Sequence, residues 1–183
     1  MILLDATAFT LLVNPAANPP LDPVSRQPVA RAADRFAYLE TEVQRTGETI
    51  VIPTPALAEV LVGLGDAGPA VLERIGKSGR FKIAEFDVRA AVEVAAMTRD
   101  AMRAGDKKDG SAAPWQKVKI DRQIIAIARV HGVSCIYSDD DGVAAFAGKI
   151  GLTVVQTWSM PLPPENQQVG LFEMGRGDGE DRG

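Results

Sequence analysis

Hydrophobic and polar positions alternate along the chain in two ways: short apolar runs, and longer stretches with one apolar stripe. Ile2, Leu3 and Leu4 form an apolar run closed by Asp5, which predicts a buried strand and then a helix over residues 7–13. Residues 29–45 put Ala33, Phe36, Ala37, Leu39 and Val43 on or near one stripe, a helix that Gly47 would stop. Residues 49–52 are β-branched throughout and run into Pro53, a second buried strand. Thr54 is the expected N-cap of a helix over residues 55–64, with Pro55 in the favoured first position. Residues 65–68 break the chain, and a further helix covers 70–75. Residues 81–86 alternate and predict a third strand. Asp87 then caps a helix reaching Met102, with Ala91, Val94, Ala95, Thr98 and Met102 along a face. Residues 118–130 predict a helix, 133–137 a fourth strand, 143–149 a short helix and 152–155 a fifth strand.

Strands that alternate with helices predict an α/β fold with a mainly parallel sheet. Strands apolar on both faces predict helices flanking both sides. Residues 14–28 hold five prolines and read as a surface loop. Residues 105–114 are rich in Gly, Asp, Lys and Ala without periodicity and read as a mobile loop. The expected organisation is therefore one domain over residues 1–158. Residues 159–183 then form a Pro- and Gly-rich tail, with an end too poor in apolar residues to fold alone.

Composition narrows the chemistry. The 183 residues carry 20 Lys plus Arg against 24 Asp plus Glu, a net charge of −4, so a broad basic face for duplex DNA is not expected. One cysteine, Cys135, excludes an internal disulfide and any multi-cysteine zinc site. One histidine, His131, excludes mechanisms that need two within a chain. The opening residues carry no basic targeting segment and no apolar run approaches bilayer length, so the expectation is a cytoplasmic protein without a membrane span.

The acids carry the remaining signal. In a parallel α/β sheet, strand C-termini and helix N-termini share one edge, where ligands bind. Asp5 directly follows the first strand, and Asp139, Asp140 and Asp141 follow the fourth. Glu59 lies early in the helix after the second strand, beside the apolar stripe of Leu57, Val60, Leu61 and Leu64. Asp121 lies in the first predicted turn before Ile124, Ile125 and Ala128, and so continues an inward-facing stripe. An inward carboxylate is costly unless paired or bound to a cation. Converging carboxylates either keep protons or bind a hard divalent ion, for which Mg2+ or Mn2+ is suited. Such an ion serves phosphodiester hydrolysis without histidine or cysteine.

The segments Leu3-Leu4-Asp5-Ala6-Thr7-Ala8-Phe9, Ala58-Glu59-Val60-Leu61, Asp121 with Ile124 to Ala128, and Tyr137-Ser138-Asp139-Asp140 followed by Gly151-Leu152-Thr153-Val154-Val155 span nearly the whole chain. In this order they resemble PIN-domain ribonucleases of the kind found as VapC-like toxins. The resemblance implies a single PIN-like domain with a five-stranded sheet and a Mg2+ or Mn2+ site that cleaves RNA, leaving 5'-phosphate and 3'-hydroxyl ends. It implies Asp5, Glu59 and Asp121 as three metal-holding catalytic acids. The fourth is Asp140, or one of its flanking residues Asp139 and Asp141, with Thr7 and Ser138 as supporting hydroxyls. It further implies a small antitoxin partner and a homodimer.

Other residues have plainer expected roles. His131 suits a helix C-terminus, and Cys135 a small core position. Trp115 and Trp158 suit packing against loops. Lys107, Lys108, Lys117, Lys119 and Arg122 form a basic run beside Asp121, and Lys117, Lys119 and Arg122 are candidate RNA contacts. Two other function classes stay open: a catalytically silent PIN-like binding module, and a metal-dependent phosphohydrolase acting on small phosphorylated molecules.

Overall fold

The computed structural model describes residues 1–164. Five strands, β1 (Ile2–Leu4), β2 (Ile50–Pro53), β3 (Phe81–Ala84), β4 (Cys135–Tyr137) and β5 (Thr153–Val155), form one sheet in the order β3-β2-β1-β4-β5. All four pairings are parallel. The helices are α1 (Ala6–Val13), α2 (Ala32–Thr46), α3 (Thr54–Leu64), α4 (Gly68–Lys77), α5 (Val88–Arg103), α6 (Trp115–Val130) and α7 (Asp141–Lys149).

The period-two alternation of the strands divides the core into two layers. Ile2, Leu4, Ile50 and Ile52 face α1, α2, α3 and α4, where Phe9 and Phe36 are the largest buried side chains. Leu3, Val51 and Ile136 face α5, α6 and α7. Burying a side chain of this size contributes about 1.5–3 kcal/mol. The short central strands, buried on both faces, are therefore held chiefly by their helices.

The expected α/β architecture and its five strands are present; several boundaries differ. Helix α2 starts at Ala32 rather than residue 29, because Arg31 takes a left-handed conformation at φ 56° and turns the chain into it. Thr54 is not a cap. It is the first residue of α3, and its hydroxyl instead accepts a hydrogen bond from the Phe86 N–H at 3.2 Å. The break at residues 65–68 is a 3-10 turn, Gly65–Ala67, that leads directly into α4. The resulting helical stretch Thr54–Lys77 is 24 residues long and, by length and composition, apolar enough to cross a bilayer, contrary to the expectation from sequence. Its Ala56, Leu57, Val60 and Ile75 are buried within the protein.

Helix α6 starts at Trp115, three residues before the expected boundary, which moves Asp121 from the first turn to the second. The Pro-rich segment contains one isolated bridge, Leu21 to Pro28, and a turn capped by Asp22. The 105–114 loop is tied by Asp106 to the N–H groups of Lys108 and Gly110, and by Lys149 to Asp109. The packed body extends past residue 158: Met160 is buried in the α1–α4 layer and its carbonyl accepts from Arg35 on α2. Most of the expected tail, residues 165–183, lies outside the described residues.

Candidate acidic site

Strand order reverses at β1. Beyond it β2 and β3 lie on one side, β4 and β5 on the other. The crevice at the C-terminal ends of β1 and β4 is thus the switch point where ligands bind in open α/β sheets. The register Leu4 to Tyr137 carries Asp5 and Ser138 out of the sheet side by side. The Asp5 N–H extends the ladder to the Tyr137 carbonyl at 3.1 Å.

Asp5 is 4% exposed and caps α1, its carboxylate accepting from the Ala8 N–H at 2.8 Å. Burial pushes its carboxyl up to about 6; the Ser138 hydroxyl and the Ala8 N–H pull it down, and the charges of Asp139 and Asp140 push it further up. Ser138 is itself buried, and its hydroxyl accepts from the Asp140 N–H at 3.1 Å. One hydroxyl therefore links the ends of β1 and β4.

Asp140 caps α7, with Oδ1 accepting from the Gly142 N–H at 2.7 Å and the Val143 N–H at 3.2 Å. Its other oxygen meets the Lys117 ammonium. Burial raises this carboxyl, but Lys117 and the two backbone N–H groups outweigh it and hold Asp140 below the ordinary range. Asp121 is 3% exposed. Its Oδ1 accepts from Lys117 at 3.1 Å, and its Oδ2 is buried with no partner among the described residues. Burial raises its pKa; Lys117 opposes the rise and the Asp140 charge adds to it. Lys117 thus bridges two acids from different elements. Burial disfavours its charge, but the two acids reverse the effect and raise its pKa.

Gly142 fixes how close α6 and α7 come. A Cβ there would lie 2.5 Å from Asp121 Oδ2 and 2.9 Å from Asp140 Oδ1. A side chain at this position would fill the space between the two carboxylates.

The structure sets Ser138 and Asp140 near Asp5 and joins Asp140 to Asp121 through Lys117, and it leaves other expected site residues apart. Glu59 is exposed on α3, in a separate cleft lined also by Thr7, Thr10 and Asn18. It sits off the apolar stripe, and its cleft borders the start of α1 at Ala6 and Thr7 rather than Asp121 and Asp140. Thr7 is exposed in that cleft and does not support Asp5; the hydroxyl that does is Ser138. Asp139 is committed to Thr157, accepting from its N–H at 2.7 Å and its hydroxyl at 2.5 Å. Asp141 is exposed in the first turn of α7.

The expected RNA-contact residues divide likewise. Lys117 is engaged by Asp121 and Asp140, so it is a counter-ion and not a free rim cation. Arg122 is 1% exposed and packs among helices rather than lining the rim. Lys119 is exposed. His131 does occupy the C-cap of α6, but burial and the charges of Lys82 and Arg89 lower its pKa, against a dipole-stabilised cation.

The sequence allowed Lys117 or Arg122 as an ion-pair partner of Asp121, and the structure selects Lys117; sequence reasoning missed its second acid, Asp140, together with Gly142 as a spacer and Thr157 as an anchor. The Lys117–Asp121 pair was readable because the two are four apart on one helix. The other three depend on contacts between elements, which the sequence does not display.

Among the described residues, no three Asp, Glu, His or Cys side chains lie close enough to hold one metal ion. The donors in the crevice nevertheless fit a hard divalent ion in kind. They are carboxylate oxygens, and one of them, Asp121 Oδ2, is buried and unpartnered.

No family model and no curated protein matches the chain. Solved structures do. VapBC2 from Rickettsia felis, bound to a DNA fragment from the promoter, aligns with a TM-score of 0.52 at 15% identity over 85% of this chain and 98% of that one. VapC20 from Mycobacterium tuberculosis, a sarcin–ricin loop cleaving toxin, aligns at 0.51 and 15% identity over 79% of this chain and 95% of that one. DNA-bound VapBC from Salmonella typhimurium aligns at 0.50 and 15% identity over 85% and 97%. The five-stranded parallel sheet with its helices is the PIN-domain α/β fold of these VapC structures.

Proposed function

We propose that the protein is a metal-dependent endoribonuclease of the PIN-domain type, and the toxin of a toxin–antitoxin pair acting in the cytoplasm. The observation that carries this reading is the buried, unpartnered oxygen of Asp121 beside Asp140, at the switch point that also holds Asp5. A fold shared with VapC20, a toxin that cleaves the sarcin–ricin loop, supports RNA as the substrate class. The VapBC neighbours support a small antitoxin as partner, and a homodimer remains part of the same proposal.

Asp121 and Asp140 would hold Mg2+ or Mn2+ directly, with Asp5 completing the set through water and Glu59, Asp139 and Asp141 outside it. When bound, the ion supplies positive charge for the phosphoryl oxygens and lowers the pKa of water. The chain's own residues set the geometry. Ser138 aligns Asp5 with Asp140, the α7 N-terminus orients Asp140, and Gly142 leaves the space between Asp140 and Asp121 open. Lys117 balances the acids when no ion is present and must give way to one.

The test is incubation of purified protein with structured and single-stranded RNA in Mg2+, Mn2+ or chelator, alongside Asp5→Asn and Asp121→Asn. Cleavage is expected with either ion, leaving 5'-phosphate ends, and is expected to fall by at least ~100-fold in either variant. Full activity in both variants would remove these acids from the mechanism. Parallel assays with mononucleotides distinguish a small-molecule phosphohydrolase.

One observation favours a second reading, a catalytically silent binding module. Lys117 already pairs with two acids, and Glu59 stands apart. Calorimetric titration that finds no ion binding at millimolar Mg2+ or Mn2+ would select it.

A further inference from the structure

Helix α5 carries an apolar stripe that the described residues leave uncovered. Ala91, Val94, Ala95, Thr98 and Met102 share one face, yet the buried residues of this helix are Ala90 and Ala101, on another. Ala91, Ala95 and Met102 stay exposed, and Val88 and Val92 extend the exposed stripe. Val88, Val92 and Met102 are 80%, 62% and 63% exposed. Residues 88, 92, 95 and 102 recur at helical spacing, so their side chains lie along one line of α5. A shallow groove of about 570 Å³ follows this line, lined by Ala91, Val94, Ala95, Met102, Arg99 and Arg103. A continuous exposed apolar surface of this kind marks a place where another segment packs.

The groove is basic as well as apolar. Arg103 meets Asp100 at 3.4 Å, a contact between two exposed side chains. Arg99 forms no ion pair among the described residues. A complementary occupant is therefore apolar and acidic. Residues 165–183 contain such a segment. Their large apolar side chains are Val169, Leu171, Phe172 and Met174, gathered within six residues and with Glu173 among them. The whole stretch holds five acids against two arginines. The lengths also agree. Ala91 to Arg103 covers about 18 Å of helix at the α-helical rise, and a six-residue segment spans at most about 20 Å.

We propose that this face of α5 is the docking site for residues 169–174 of a second copy of the chain. Leu171, Phe172 and Met174 would cover Val92, Ala95 and Met102, and Glu173 would meet Arg99 or Arg103. Reach selects the second copy. Met160 is buried in the α1–α4 layer, on the opposite face of the sheet from α5. Residues 165–169 span at most about 18 Å, short for a path around the sheet and across a helical layer about 10 Å thick. Exchange of these segments would join two copies through α5. The inference is independent of the nuclease reading, because none of Asp5, Asp121 and Asp140 lines the groove.

Met102 is a built-in reporter, because a covered thioether oxidises slowly. The full chain is treated with hydrogen peroxide, and sulfoxide at each methionine is followed by peptide mass spectrometry. Met102 is expected to oxidise at least ~5-fold more slowly in wild type than in the double variant Leu171→Ser, Phe172→Ser, while Met1 is unchanged. Charge reversal by Arg99→Glu with Arg103→Glu should speed Met102 oxidation in the same way. Equal Met102 rates in all three proteins would overturn the proposal. A second measurement identifies the occupant. Chains carrying Met102→Cys are mixed with chains carrying Gly175→Cys and mildly oxidised. A disulfide between the two introduced thiols, found by peptide mapping, is expected. A disulfide between two Met102→Cys chains instead would mean that α5 packs on α5, and would overturn docking of the segment. A link that forms only when one chain carries both substitutions would place the segment on its own chain and overturn the exchange. RNA cleavage by the same proteins reports on the nuclease reading separately.

Discussion

At the scale of single residues, Asp5 makes folding and function oppose each other. Its carboxyl is raised from 3.8 to about 6, so the folded chain holds this proton more tightly than the unfolded chain. Between these values the unfolded chain has released the proton and the folded chain has not, so Asp5 lowers stability as pH rises through the window. The loss is complete above about pH 6 and amounts to about 3 kcal/mol. Asp5→Asn stays neutral and can still cap α1. In chelator at pH 7, it should therefore be more stable than wild type by ~1–3 kcal/mol, and the difference should disappear below about pH 4. Urea denaturation at both pH values checks this, and equal stability at pH 7 would contradict the buried-acid account. Lys117 predicts the reverse sign. Lys117→Met leaves Asp121 buried beside Asp140 without its cation and should cost ~1–3 kcal/mol in chelator. Under the proposed function, Mn2+ should restore more stability to this variant than to wild type and bind it more tightly, which calorimetry reads directly. Asp5, Asp121 and Asp140 were legible because each adjoins a strand end or continues an apolar stripe. Glu59 was placed correctly on its helix, yet one carboxylate beside a stripe does not reveal which cleft it faces. Lys117 could be read either as rim charge or as the partner of Asp121, and its second partner Asp140 stayed hidden because it is distant in sequence.

At the scale of elements, the strands and helices were legible because the apolar runs have the period that each requires. The misplaced boundaries share a cause, since contacts between elements set them. Trp115 joins α6 although the polar residues after it hide the helical period, and the Thr54 hydroxyl is engaged by the Phe86 N–H, two residues beyond β3, instead of capping α3. The spacing of α6 and α7 depends on Gly142 in the same way. Gly142→Ala would place a methyl group 2.5 Å from Asp121 Oδ2, which is buried and has little room to move. It should destabilise by ~1–3 kcal/mol and abolish the tight approach of the two acids. Unchanged melting and unchanged Mn2+ affinity would show that α7 shifts freely. Asp139, by contrast, has a structural task. It fastens the segment after β5 through Thr157, which is buried. Thr157→Val removes one hydrogen bond and leaves a carboxylate oxygen short of a donor, at an expected cost of ~1–3 kcal/mol, while leaving the Asp5 and Asp121 carboxylates untouched. A loss of RNA cleavage in that variant at full folding would return Asp139 to the reacting set.

At the scale of the whole molecule, charge constrains how an RNA could be held. The chain carries a net charge of −4, and its acidic crevice repels phosphate until an ion binds. The basic run beside Asp121 offers less than its composition suggested. Lys117 is committed to two acids, Arg122 is enclosed, and Lys108 donates to the Ala113 carbonyl. Within that run, Lys119 and Lys107, the latter over the Trp115 ring, are the cations left at the surface. Two phosphate contacts to single-stranded RNA correspond to a slope of about −1.4 in log affinity against log salt. Under the proposed function, we therefore expect the Asp121→Asn protein to bind RNA with weak salt dependence, and Lys119→Gln to shallow the slope by about 0.7. Fluorescence anisotropy across a KCl series measures both. A slope steeper than about −3 would mean that a second basic surface grips the RNA. In that case recognition would rest on cations outside the 107–122 segment, and the acidic crevice would act on RNA held elsewhere on the molecule.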